Sequence, residues 1–274
     1  MVLQSSMKIQ VLLSAVNQDI RTLPEKMNIE TDAVIVNQCD KYDYREFTLH
    51  SGLRTVKNPC KIRCLSMTER GVGLSRNTAL MHADADIILF SDEDVVLEKG
   101  YADAIRSAYE QYPDADMIIF NVKVAPERKT YWNEQVKRIH WYNYGRYPAY
   151  SISGKLDSLR RANVHFSLLF GGGAKYSNGE DSLFLHDCLR AGLKIIALPV
   201  CIGEETLRES TWFHGYTRKF FMDRGVLYHY LYGNLSWVFA LRFLLKNKEE
   251  MCKEIPLKKA YRLMKEGIRS QRHR

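Results

Sequence analysis

Two short acidic runs hold the residues of this chain best suited to chemistry. Ser91-Asp92-Glu93-Asp94 follows the apolar run 86–90, and Asn178-Gly179-Glu180-Asp181 opens a stretch with helical spacing. At a strand end, where the chain turns, Asp92 and Asp94 can converge on one hard cation. Packing three carboxylates together is costly unless something neutralises them, and a divalent metal with a diphosphate does so. Oxygen donors suit Mg²⁺ or Mn²⁺ and not zinc. The alternative is an acidic loop that caps the next helix, and capping is equally open to Glu180 and Asp181. Upstream, the Gly-rich stretch Glu69-Arg70-Gly71-Val72-Gly73-Leu74-Ser75-Arg76-Asn77 leads into a helix. Arg76, at the start of that helix, either holds phosphate oxygens in a bidentate fork or pairs with Asp92 and orients it. In Phe170-Gly171-Gly172-Gly173, Gly172 and Gly173 let backbone approach a bound ligand closely, or form a plain flexible loop.

These residues need a scaffold, and the hydrophobic pattern supplies one. Short β-branched runs at 9–14, 33–37, 62–66, 86–90, 116–124 and 194–198 read as strands, and 74–82, 100–111 and 181–191 read as helices. Strands alternating with helices of this length imply a parallel α/β sheet with right-handed crossovers. Ligands of open α/β sheets bind beyond the strand carboxyl ends, where the first acidic run lies. Residues 125–165 lose the rhythm and become aromatic and basic.

Composition narrows the class. With 274 residues, 46% apolar and 26% charged, the chain is neither disordered nor collagenous nor a disulfide-stapled miniature. No apolar stretch is long enough for an ordinary polytopic membrane protein. The six cysteines include no CxxC pair and read as reduced thiols. The N-terminal run lacks a basic region and a cleavage site, so it reads as a first strand in a cytosolic protein, with Met1 or Met7 as the start. The net charge of +8 is uneven: residues 246–274 carry ten Lys or Arg against four Glu, a net +6 that leaves +2 for the rest. A nucleic-acid binder would spread its charge over a face of the fold. Here the basic part is an appendage following the aromatic-apolar segment 226–245, an order suited to docking on an anionic membrane. Equally, Trp237, Ala240, Leu241 and Leu244 share a helical face that would cover the core.

Taken in order, the early strand with its polar turn, the Gly-rich loop ending in Arg76-Asn77, the Asp92-Glu93-Asp94 triplet and Gly179-Glu180-Asp181 resemble the family 2 glycosyltransferases of GT-A fold. The likeness runs over roughly 7–220. It implies a GT-A, Rossmann-like mixed sheet with a C-terminal helical tail. The catalytic domain would span 1–224, with a nucleotide-sugar half at about 7–124 and an acceptor half at about 125–224, and a helical tail would span 225–274. By resemblance Asp94 coordinates the cation directly, while Asp92 contacts ribose or metal through water and Glu93 points away. His214 is the late histidine that such enzymes often supply to the metal. Asp181 becomes the base that removes the acceptor hydroxyl proton in an inverting transfer, and Glu180 binds acceptor hydroxyls. Asp40, after the second strand, would accept from the imide of uracil, though the usual Asp-Asp-Gly-Ser string is absent there. Ser14 and Ala15 would line the nucleoside pocket or simply end a strand. Arg218 and Lys219 would close over the diphosphate or stay solvated, and Trp212 would stack on a sugar or lie in the core. The implied enzyme is a Mn²⁺- or Mg²⁺-dependent hexosyltransferase with a nucleotide-sugar donor, most simply a UDP-sugar. Its acceptor would be a glycan on a polyprenyl diphosphate, in capsule or O-antigen synthesis at the inner face of the cell membrane. A homo-oligomer is compatible with this, and nucleic acid is not a partner. A sugar-1-phosphate nucleotidyltransferase would need a Gly-bearing loop in 14–22, which has no Gly. A non-catalytic nucleotide-sugar or glycan-binding protein would be expected to have lost one of the acidic runs.

Overall fold

The computed structural model describes residues 7–49, 59–206 and 215–271. Strands β1 (Ile9–Val16), β2 (Asp32–Gln38), β4 (Cys60–Met67) and β5 (Ile87–Asp92) pair in parallel in the order β4-β2-β1-β5. Strand β3 (Asp43–Leu49) closes that edge antiparallel to β4. On the other side, β9 (Ile152–Lys155) runs antiparallel between β5 and β7 (Met117–Lys123). The long β10 (Ile195–Glu205) lies parallel to β7 and is flanked by the antiparallel pieces β6 (Val95–Leu97) and β8 (Lys137–Arg138). The mixed, mainly parallel sheet that the family resemblance implies is present. The strands read at 86–90 and 116–124 are not neighbours, however, because β9 lies between them.

Both faces of the central strands are buried, which explains their nearly unbroken apolar runs. Along β1, Val11, Leu13 and Ala15 point to one side and Leu12 to the other, and β2, β5 and β7 repeat this period of two. One face packs on α1 (Leu23–Lys26) and α3 (Tyr101–Gln111). The other packs on α2 (Val72–Met81), α4 (Leu156–Ala162) and α5 (Glu180–Arg190). The aromatic segment 131–176 fills this second face with Tyr131, Tyr144, Tyr147, Phe166, Phe170 and Tyr176. Strand β3 was not read from the sequence because it is an exposed edge: only Leu49 in it is buried, so no apolar alternation marks it.

The C-terminal helices pack as a unit. Helix α6 (Arg218–Tyr232) breaks at Gly233 and is followed by α7 (Ser236–Lys246), α8 (Lys248–Met251) and α9 (Leu257–Arg269). Phe220, Phe221, Ala240, Leu244, Leu263, Met264 and Ile268 form its own core. Val226, Leu227 and Leu231 of the same α6 enter the core of the sheet. A boundary drawn at 224 therefore falls inside one helix that serves both cores. Helices α6 and α9 touch backbone to backbone: a Cβ on Gly225 would stand 2.1 Å from the Met264 carbonyl oxygen, and one on Gly267 would stand 2.1 Å from that of Met222. Gly267→Ala must push the helices apart and is expected to cost about 1–3 kcal/mol. A melting curve indistinguishable from wild type would show that this crossing is not tight.

Candidate active site

The parallel strands end together. In register, Ser14 of β1 stands between Val36 of β2 and Asp92 of β5, so their carboxyl ends open onto one crevice. Ser75 of α2 donates to the Ser14 hydroxyl at 3.0 Å, tying the helix to this rim. Buried Ala15 lies next to Ser14 at the same strand end.

Arg76 organises the centre. It lies one turn into α2, which begins at Val72, and its side chain is 4% exposed. Its Nη2 donates to both oxygens of Asp92 at 3.1 Å, and its Nη1 donates to Asp181 at 2.8 Å and Glu180 at 3.3 Å. The guanidinium lies 5.2 Å from the centroid of the Phe166 ring, which stacks on Phe184. Burial works to lower its pKa, but Asp92, Asp181 and Glu180 together outweigh burial and raise it. Of the two readings of Arg76, the structure takes the one in which it holds Asp92, and joins the second acidic run to the same cation. Asn77 exchanges two hydrogen bonds of 2.8 Å with the Phe166 backbone, so the Arg-Asn pair both gathers the carboxylates and pins the aromatic floor beneath them.

Helix α5 delivers Glu180 and Asp181 in its first turn. Burial, then the charge of Glu180, raises the Asp181 carboxyl to about 7 against the opposing pull of Arg76. Its side chain keeps 23% of its surface open. The Gly loop before it makes room: Gly171 has φ +101°, and a Cβ there would stand 2.7 Å from the Glu180 carboxyl carbon. The Gly172 carbonyl accepts from Val72 at 2.9 Å, so the loop is bound to the start of α2. Gly173 faces solvent. Behind α5, Leu227 of α6 packs on Gly179, and Asp223 accepts from the Ser177 amide at 2.9 Å.

A second charged group adjoins Asp92. Burial, then Asp92, raises the Asp94 carboxyl. Burial also raises Glu205, at the end of β10, to about 7, with Arg128 opposing at 2.6 Å and Asp94 and Asp92 adding to the shift. Thr206 donates its amide at 2.7 Å and its hydroxyl at 3.0 Å to the Asp94 carbonyl. Glu93 turns back to accept the Val16 amide. Glu205, Arg128 and Tyr150, a half-buried residue whose phenol lies near Glu205 and Asp92, were not found from the sequence. Their signals were single residues in stretches without a motif.

Other expected residues lie apart from this cluster. Asp40 is 96% exposed and pairs with Arg70 at 3.2 Å, beyond the end of β2. Arg218 pairs with Glu266 of α9, and Lys219 bonds Asp223 and the Lys175 carbonyl. Trp212 and His214 lie outside the described residues. Among the described residues no three of His, Cys, Asp and Glu form a cage able to hold a metal ion unaided. The donor chemistry nonetheless fits a hard cation: carboxylates outnumber arginines, and beyond burial Asp92 raises Asp94 while Asp94 and Asp92 raise Glu205. Mg²⁺-type ions commonly take one or two protein carboxylates and complete their shell with phosphate oxygens and water.

An open α/β sheet with this acidic crevice at its strand ends has the arrangement of a GT-A transferase. The model of glycosyl transferase family 2 matches residues 11–166, and the chain belongs to that family. Its fold is similar to S. aureus TarS 1-349 in complex with UDP-GlcNAc (TM-score 0.60, 16% identity, 90% of this chain and 74% of that one). The same fragment in complex with UDP gives TM-score 0.58 at 16% identity and the same coverage. Full TarS gives 0.57 at 15% identity, with 90% of this chain and 44% of TarS covered. No curated protein matches the sequence.

Proposed function

We propose that this glycosyltransferase is an inverting, metal-dependent hexosyltransferase. It takes a sugar from a nucleotide-sugar, of the UDP type, and places it on a hydroxyl of a glycan acceptor linked to polyprenyl diphosphate in surface-polysaccharide synthesis. The observation that carries the reading is Asp181, a carboxyl raised to about 7 and held at the crevice by Arg76 with an open edge. A base of that pKa matches neutral working pH. TarS in complex with UDP-GlcNAc and with UDP supports the choice of donor.

In this reaction Asp181 takes the proton of the acceptor hydroxyl as its oxygen attacks the anomeric carbon from the side opposite the diphosphate. The new C–O bond forms as the bond to the diphosphate breaks, and the nucleoside diphosphate leaves. Asp92 and Asp94 would hold the cation, which neutralises the charge of the departing diphosphate when bound. Arg76 keeps Asp92 and Asp181 at fixed separation, so cation site and base are set by one residue. Glu180 faces acceptor hydroxyls, and Ser14 with the backbone at Ala15 and, farther out, the exposed Asp40 form the nucleoside side.

The deciding measurement compares wild type with Asp94→Ala, with and without Mn²⁺. Wild type should lose transfer in EDTA and regain it with Mn²⁺, and UDP should raise its melting temperature only when Mn²⁺ is present. Asp94→Ala should show neither response. Full transfer in EDTA would overturn the metal-dependent reading.

A further inference from the structure

The helical unit buries one face of α7 and leaves the other bare. Ala240 and Leu244 are enclosed in its core. Trp237 (50% exposed), Val238, Leu241 and Leu245 (51% exposed) face solvent. At 100° per residue these four side chains fall within about 100° of helix surface, a continuous apolar stripe about 12 Å long from Trp237 to Leu245. Exposed Leu235 extends it at the N-terminal end. A bare apolar stripe on a helix is unusual for a surface that meets only water.

Cations border this stripe. Arg242 and Lys246 are exposed on the neighbouring arc of α7, and Lys248 follows on α8. Helix α9 packs beside α7, with the Tyr261 hydroxyl donating to the Trp237 carbonyl at 3.3 Å. Its Ala260, Leu263, Met264, Gly267 and Ile268 are buried, while Lys258, Lys259, Arg262 and Arg269 lie exposed on its opposite side. Among the described residues no helix is long and apolar enough to cross a membrane.

We infer that α7 lies flat on an anionic lipid surface, with Trp237, Val238, Leu241 and Leu245 sunk at the headgroup–acyl boundary and the lysines and arginines of α7–α9 on the phosphates. Charge complementarity selects this occupant. A protein partner would bury the stripe equally well, but the net +6 of residues 246–274 beside an apolar helix face is the pattern of an interfacial helix. Helix α6 carries the docked face to the active site, since it packs on α7 and also supports Gly179 at the start of α5. The inference stands apart from the transfer chemistry and survives or fails without it.

The test uses the full chain with vesicles of phosphatidylcholine alone and of phosphatidylcholine with phosphatidylglycerol. Wild type should co-sediment with the anionic vesicles, weaken as salt rises and retain part of its binding at high salt. Trp emission should shift to the blue on binding, and Trp237→Phe should remove most of that shift. The exposed pair Leu241→Glu/Leu245→Glu should lower vesicle affinity at least about tenfold, because two half-buried leucines are lost, while the melting temperature stays unchanged. Lys258→Gln/Lys259→Gln/Arg262→Gln should lower the salt-sensitive part and leave the salt-resistant part unchanged. If wild type ignores anionic vesicles, or if the double Glu variant binds them as well as wild type, the inference fails. A wild-type dimer that the same pair converts to a monomer, without vesicle binding, would assign the stripe to a second copy of this chain instead.

Discussion

Asp181→Asn is expected to bind the donor as wild type does and to lose transfer by about 10²–10⁴-fold, the contribution of a positioned general base. Asparagine keeps the shape and can still meet Arg76, but it cannot take a proton. The loss should therefore fall on kcat, with KM for the donor little changed. The pH profile gives an independent check. Burial, then the charge of Glu180, raises the Asp181 carboxyl to about 7, and only the ionised form acts as a base. Wild-type kcat should fall about tenfold per pH unit below that value and level off above it. In Asp181→Asn this limb should disappear. The same shift has a sign for stability: a folded pKa above the ordinary 3.8 means that the native state binds this proton more tightly than the unfolded chain. Its effect on stability is thus most favourable at low pH and is lost as pH rises toward 7. A variant within about tenfold of wild type would move the base to another group, Glu180 first.

Arg76→Met is expected to lose both activity and fold stability. Removing this cation leaves Asp92, Glu180 and Asp181 facing one another in a site where the side chain it replaces is 4% exposed. Breaking a buried ion network from one side costs about 3–5 kcal/mol, or roughly 10 °C in melting temperature for a chain of this size. Charge, and not lost packing, is the cause, since methionine fills much of the same volume over Phe166. The deficit should accordingly be larger at pH 8 than at pH 5, on the protonated side of the raised Asp181 carboxyl. Arg76→Lys keeps the charge but not the fork that reaches three carboxylates at once, so it should fall between the two. A deficit that is equal at both pH values would mean that Arg76 acts through packing alone.

Much of the centre was legible because its residues sit at element ends, where sequence signals are strongest. The apolar run of β5 stops at Phe90, two residues before Asp92, and the Gly-rich turn opens α2 a few residues before Arg76. Gly179 immediately precedes the acidic first turn of α5. Glu205 and Tyr150 were not legible. Glu205 ends a strand whose apolar run breaks at Pro199, and Tyr150 lies in the irregular stretch before β9.

The sequence by itself determined the mainly parallel sheet, the order of the motifs and the two acidic runs at strand and helix ends, because these follow from local periodicity and turn chemistry. Only the tertiary structure decided that Arg76 grips both runs, across 16 residues to Asp92 and 105 to Asp181. The same holds for β9, which enters between β5 and β7, and for α6, which joins the basic C-terminal helices to the core. Which partner a buried cation meets, and which face of an amphipathic helix stays bare, depend on what distant segments pack against them. A periodicity of 3.6 shows that α7 has apolar positions, and only the packing of α6 and α9 determines which of them remain outside.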